Sequence, residues 1–384
     1  MSAFTRRGFL GATGLAAWSA LDRRIEAAKR GPAAAVRAVD LTGDGVGLTP
    51  AQYVELLGQL VSSSAVEADE YSRGGAVAAL EARFAALLGK ETAIFMPSGT
   101  LANHLAVRAL AGTRRRVIVQ ETSHLYNDSG DAAQQLSQLN LVPLAPGEGT
   151  FRWGDVERVL ERSAASRVKV DVGAISIESP VRRLHHATFQ FEEMERIAEN
   201  ARARGIGLHL DGARLFVAAA YQRRSPTVYA ALFDTVYVSL WKCFNAAIGA
   251  VLAGPRALLD EMFHVRRMFG GALWNAWSHA AVAHHYADGY GERMYEAVVV
   301  AEHFLSALER EPGFRVTRVP EGTSAFRLEL TGGNAEGFRT RLAQRGVRLP
   351  PAEAGVFWPR VNETVRRATS DELLAAFRSA RGQL

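Results

Sequence analysis

The chain of 384 residues holds a single cysteine, Cys243, which rules out an intrachain disulfide framework. It has no internal repeat and no low-complexity tract, and its 13 prolines and 35 glycines are scattered as punctuation. It also carries little net charge. Of the formal +5, most is local: residues 1–30 hold six basic side chains against two acidic ones, leaving the remainder near +1. A nucleic-acid-binding body shows a basic face, so no nucleic-acid partner is expected. Arg114-Arg115-Arg116 reads as a solvated turn before a strand. Histidines occur together only as the adjacent pairs His185-His186 and His284-His285, whose side chains diverge in a strand or a helix. A closed metal site needs spaced ligands, and none is expected. The glycine-rich Gly43-Asp44-Gly45-Val46-Gly47 neither follows a strand nor opens a helix, which argues against a dinucleotide site.

What is present is an ordinary globular balance, 48% hydrophobic and 22% charged, in a chain long enough for two domains. Near the start, Thr5-Arg6-Arg7-Gly8-Phe9-Leu10 leads into a short, mildly apolar segment ending at Leu21, too short for a membrane span. Ala33-Ala34-Ala35 then offers a small-residue cleavage site. The pattern resembles a twin-arginine export signal, and residues 1–35 are set apart from the fold on that basis. It implies a periplasmic or exported protein; without it the single cysteine also suits the cytoplasm.

From there the chain alternates short apolar strands with helices. Strands are expected at 92–96, 116–120, 168–177, 207–211 and 235–240, with helices at 66–90, 101–110 and 191–204. That alternation predicts an α/β domain on a mostly parallel sheet, spanning 36–276 with an N-terminal arm. Beyond Trp277 the pattern changes. One long helix to Leu308, two strands within 314–330, a helix at 335–345, a strand at 365–368 and a final helix at 371–381 predict a smaller α+β domain over 277–384.

In open parallel sheets, functional groups gather where strands end at their carboxyl edge. Ser98-Gly99-Thr100 lies between a strand and a helix, and offers a hydroxyl cap, close backbone approach and a helix N-terminus, which suits a phosphate. Asp211 and Lys242 each close an apolar run, where an isolated charge is costly. A desolvated lysine amine is what imine chemistry with a carbonyl cofactor requires. His124 follows the strand at 116–120. Each feature alone has a structural reading: a helix cap, an Asp211–Arg214 pair, a satisfied histidine, a snorkelling lysine. The ordered set matches the needs of pyridoxal 5'-phosphate, namely a phosphate turn, a flat ring to stack on the pyridine, a carboxylate for the ring nitrogen and an amine.

Three segments carry a family resemblance: Phe95-Met96-Pro97-Ser98-Gly99-Thr100-Leu101-Ala102-Asn103, Leu208-His209-Leu210-Asp211-Gly212-Ala213-Arg214-Leu215-Phe216, and Lys242. They resemble the threonine aldolase / β-eliminating lyase family of pyridoxal phosphate enzymes, over roughly residues 39–380. The resemblance implies fold type I, as in aspartate aminotransferase, and a homodimer or dimer of dimers. It makes Lys242 the Schiff-base lysine and Asp211 the partner of the pyridine nitrogen. Ser98, Gly99 and Thr100 would hold the phosphate and His124 would stack on the ring. Arg214 would lie near cofactor and substrate, and Arg366 would bind the substrate carboxylate, with Arg367 as its neighbour. The implied reaction is aldol cleavage of a β-hydroxy-α-amino acid to glycine and an aldehyde, with Lys242, His124 and Asp211 as the catalytic set. β-Elimination on the same scaffold and a non-catalytic cofactor-binding protein are the alternatives. Several positions depart from the family pattern: Thr42-Gly43 where Arg-Ser is usual, Ser129 for a glutamate, Trp241 before Lys242 for a serine, and Trp274 for an arginine. They leave cofactor binding intact and put the substrate in question.

Overall fold

A computed structural model describes residues 38–63 and 66–382; the twin-arginine segment lies outside them. Strand β1 (Val39–Asp40) is followed by seven strands that form one sheet: β2 (Thr92–Met96), β3 (Arg116–Gln120), β4 (Asn140–Leu144), β5 (Val172–Glu178), β6 (Gly207–Asp211), β7 (Thr235–Ser239) and β8 (Ala250–Gly254). Their order is β2-β8-β7-β6-β5-β3-β4. The neighbours from β7 to β4 pair in parallel, and β8 alone runs against both β7 and β2. Strands β5 and β7 are buried throughout, as expected of a sheet covered by helices on both faces. The remaining strands are β9 (Phe314–Arg318), β10 (Phe326–Leu330), β11 (Val347–Arg348) and β12 (Val356–Phe357). β9, β10 and β12 make an antiparallel sheet, while β11 pairs in parallel with β1 and so ties the chain's early arm to its C-terminal part.

The helices begin and end for local reasons. Ser98 caps the helix Gly99–Ala111, its Oγ accepting from the Leu101 N–H at 3.2 Å. Gly89 closes the helix Gly75–Leu88 in the left-handed conformation at φ 61°. That helix starts at Gly75 rather than Val66. Ahead of it, Tyr71 and Ser72 take positive φ, and the Asp69 carboxylate accepts from the N–H groups of Ser72 and Ala276 at 2.9 and 2.6 Å.

Two expectations are corrected further on. The single helix to Leu308 is two, Trp277–Ala287 and Tyr290–Leu308, broken at Asp288-Gly289 with Gly289 at φ 62°. Arg293 donates to the carbonyls of Tyr286 and Asp288, satisfying the first helix's open end. The expected strand near 365–368 is a 3-10 turn, Glu363–Arg367. Asn362 caps it, its Oδ1 accepting from Thr364 N–H at 2.9 Å while its Nδ2 donates to the Asp40 and Gly43 carbonyls at 2.7 and 2.8 Å.

Candidate active site

Five parallel strands deliver their carboxyl ends to one edge of the sheet. β2 leads to Ser98, β3 to His124, β5 ends at Glu178, β6 at Asp211, and β7 runs into the turn that carries Lys242. Beside this edge lies a cavity of about 910 Å³. Of the residues expected from sequence, His124, Arg214 and Lys242 line it. Asp44, Tyr53, Trp241, Asn245, Arg182 and Arg360 join them.

Lys242 is only 9% exposed. Burial pushes its ammonium below the usual lysine range, and the Arg214 guanidinium adds to that. Its Nζ lies 4.9 Å from the centre of the Trp241 ring, so the tryptophan that replaces the usual serine is the lysine's aromatic neighbour. The turn bearing Lys242 is held from outside by the glycine-rich arm. A Cβ on Gly45 would fall 2.6 Å from the Lys242 carbonyl oxygen, and Val46 N–H donates to Asn245 Oδ1 at 2.7 Å. The arm is thus packed against the lysine turn.

Asp211 is buried and accepts twice, from Asn103 Nδ2 at 2.5 Å and from the Ala213 N–H at 3.2 Å. Its neighbour across the ladder is Glu178, a second buried carboxylate at the end of an apolar strand. Burial raises the Glu178 carboxyl, and the Asp211 charge raises it further. Glu178 accepts from the N–H groups of His124 and Arg182 at 2.5 and 2.8 Å, pinning the loop after β3 to the loop after β5. The His124 ring keeps a buried Nδ1 with no hydrogen-bond partner.

Arg214 pairs with Asp44 and not with Asp211. Burial alone would raise the Asp44 carboxyl, and the Arg214 guanidinium reverses that and holds it well below the usual carboxylate range. Arg360 stands 3.7 Å from the same carboxylate. Arg366 is elsewhere. Its Nε donates to Glu296 at 2.6 Å, and it is not among the residues lining the cavity. The arginines that line the cavity are Arg182, Arg214 and Arg360. Ser98, Gly99 and Thr100 also stand outside that lining, at the same sheet edge, opening the helix Gly99–Ala111 with its first N–H groups free of intrahelical partners.

Sequence reasoning missed Glu178, Asn103 and Arg360. Glu178 carried the signal that exposed Asp211, a carboxylate closing an apolar strand. Asn103 is a buried amide inside a helix, where asparagine is a poor helix former.

The donor set fits pyridoxal phosphate. A buried amine inclined to neutrality, a buried carboxylate bonded only by donors, an unpartnered imidazole nitrogen and an open helix N-terminus meet at one edge. Comparison with known proteins agrees. A family model described as beta-eliminating lyase matches residues 58–327. The aldolase vrtJ of Penicillium aethiopicum is 31% identical over 218 residues, 56% of this chain and 55% of that one. The low specificity L-threonine aldolase of Saccharomyces cerevisiae is 29% identical, over 50% of each chain. The chain thus spans about half the length of these curated relatives. The crystal structure of a putative L-allo-threonine aldolase from Listeria monocytogenes superposes with a TM-score of 0.72 at 27% identity, covering 88% of this chain and 94% of that one. The architecture is the fold of type I pyridoxal phosphate enzymes.

Proposed function

We propose that this chain, which belongs to the beta-eliminating lyase family, is a pyridoxal phosphate-dependent carbon–carbon lyase that cleaves a β-hydroxy-α-amino acid into glycine and an aldehyde. The observation that carries the reading is that Lys242 and His124 line a cavity of about 910 Å³ at the sheet edge where Asp211 ends β6, Asp211 itself standing outside that lining. Threonine aldolases among its relatives support the reaction type.

Bound here, pyridoxal phosphate would supply an electron sink for the bond broken next to the amino-bearing carbon. Lys242 is the residue to hold it covalently, because burial and the nearby Arg214 guanidinium lower its ammonium below the usual lysine range and so favour the nucleophilic amine. Asp211 would accept a hydrogen bond from the ring nitrogen, and the N–H groups opening the helix Gly99–Ala111, with Ser98 and Thr100, would receive the phosphate. His124 would lie against the ring, and His124 or a water it positions would take the β-hydroxyl proton. Glu178 fixes that histidine through its backbone N–H. Arg360 would bind the substrate carboxylate, and Arg214, already gripped by Asp44, would act by its position. Trp241, Tyr53 and Leu48 form the apolar wall that would meet the substrate side chain.

Export by the twin-arginine route and assembly as a dimer or dimer of dimers belong to the same proposal. For assembly, the helix Pro50–Ser63 buries none of its residues, and Met268 and Trp274 are exposed, leaving apolar surface for a second copy.

The test is substrate turnover. Purified protein with added pyridoxal phosphate, given threonine, phenylserine and a β-substituted alanine, should release glycine and an aldehyde from the hydroxy amino acids. Ammonia and a keto acid would assign elimination instead. Cofactor uptake without turnover of any of them would assign a binding protein.

A further inference from the structure

Asp211 does not stand alone in the sheet. Behind it runs a line of buried polar side chains from three elements. Asn103 donates from Nδ2 to Asp211 Oδ2 at 2.5 Å. The Asn103 Oδ1 lies 2.9 Å from His209 Nε2, and His209 Nδ1 lies 2.9 Å from Thr235 Oγ1. Asn103, His209 and Thr235 are all buried, His209 and Thr235 completely. His209 and Thr235 face each other across the β6–β7 ladder, and Asn103 comes from the helix whose N-terminus is the Ser98 turn.

The chemistry of the donors sets the direction of the whole line. A carboxylate only accepts, so the amide nitrogen of Asn103 must face Asp211. The amide oxygen then faces His209, which must carry its proton on Nε2. Burial lowers the imidazole of His209 to about 4, so it is neutral and its Nδ1 is bare. In that tautomer the Thr235 hydroxyl, 2.9 Å away, donates to Nδ1. Every hydrogen bond therefore points the same way, from Thr235 through His209 and Asn103 to Asp211.

We propose that Asn103 and His209 are positioning residues for the cofactor site, a fixed-tautomer relay that holds Asp211 as an oriented acceptor for the ring nitrogen. Resting on the pyridoxal phosphate reading of the site, it adds two residues that touch neither cofactor nor substrate. The reason for a histidine at this place is directional. A neutral imidazole in one tautomer both accepts and donates along a line, and so passes orientation from the sheet to the carboxylate. Glutamine can do the same with its amide; leucine cannot. A leucine at 209 leaves the Asn103 amide free to turn its oxygen toward Asp211, which repels the carboxylate.

Two measurements test this on the full chain. In the protein without added cofactor, 15N NMR of labelled histidine should show one neutral ring protonated at Nε2 that disappears in His209→Gln. In protein reconstituted with pyridoxal phosphate, His209→Leu and Asn103→Leu should weaken cofactor binding by about 10- to 100-fold, taking the range seen when outer-sphere partners of metal ligands are removed as the guide. They should lower kcat with little change in KM, whereas His209→Gln stays within about threefold of wild type by retaining the directed bonds. Circular dichroism confirms that each variant is folded. Wild-type affinity and kcat in a folded His209→Leu would overturn the relay alone, as would a His209 ring protonated at Nδ1. Failure of the wild-type protein to take up pyridoxal phosphate would overturn the relay together with the functional reading beneath it.

Discussion

The Arg214 guanidinium grips the Asp44 carboxylate through two hydrogen bonds of 2.9 Å, Nε to Oδ1 and Nη2 to Oδ2, with both side chains buried. This bidentate pair joins the end of β6 to the N-terminal arm and forms part of the cavity wall beside Lys242. Removing one partner strands the other charge. Arg214→Ala should destabilise the protein by about 3–5 kcal/mol, the usual consequence of breaking a buried pair. The double variant Arg214→Met with Asp44→Leu should be less destabilised than Arg214→Ala. Urea unfolding checks both, and equal losses in the two would contradict the pairing.

The arm also shapes the lysine turn. At position 45 a methyl group would sit 2.2 Å from Asn245 Oδ1 and 2.6 Å from the Lys242 carbonyl oxygen. The second of these is backbone and cannot swing aside. Gly45→Ala should therefore cost about 1–3 kcal/mol and weaken pyridoxal phosphate binding by displacing Lys242. Gly43→Ala, which meets nothing within 4 Å, is the matched control and should leave both properties unchanged. Thermal melting and a cofactor titration separate them.

Arg360 and Arg366 make opposite predictions. Arg360 lines the cavity and stands 3.7 Å from Asp44, while Arg366 is tied to Glu296 outside it. Arg360→Ala should raise KM for the amino acid at least tenfold, in keeping with about 1.5–3 kcal/mol for a hydrogen bond to a charged group. Arg366→Ala should leave KM within about twofold, since a partly exposed ion pair contributes little. Steady-state kinetics on the cleaved substrate decides, and the reverse pattern would return the carboxylate to Arg366.

His209 is one of the buried groups that make stability depend on pH, beside His104 and His186. Its imidazole is lowered from 6.5 to about 4 in the folded chain by burial. Between those values the unfolded chain binds a proton that the folded chain refuses, so stability falls as pH drops from 6.5 toward 4. A shift of that size corresponds to roughly 3 kcal/mol. His209→Gln removes the titrating group, and its stability should fall less steeply over that window than the wild type's. Parallel acid denaturation curves would contradict this.

Much of this was legible in the sequence because burial and charge conflict visibly there. Strands β2, β3 and β6 begin and end where apolar runs meet turn residues, and Asp211 and Lys242 stand out as charges closing such runs. What stayed hidden depends on partners far away in the chain. Nothing near Asn103 announces Asp211, 108 residues on, and nothing near Arg214 announces Asp44, 170 residues back. The apolar spacing predicts one long C-terminal helix because it continues across Asp288-Gly289, where the left-handed glycine outweighs the periodicity. Arg366 stands away from the cavity because its segment is a turn rather than the expected strand, which directs the side chain to Glu296.

The chemistry of Lys242 is open to direct measurement. Wild-type protein is loaded with pyridoxal phosphate, reduced with borohydride, digested and read by mass spectrometry. One reduced cofactor mass is expected, on the peptide containing Lys242, and none in a folded Lys242→Ala. A cofactor mass on Lys90 or Lys169, or no covalent cofactor at all, would contradict it.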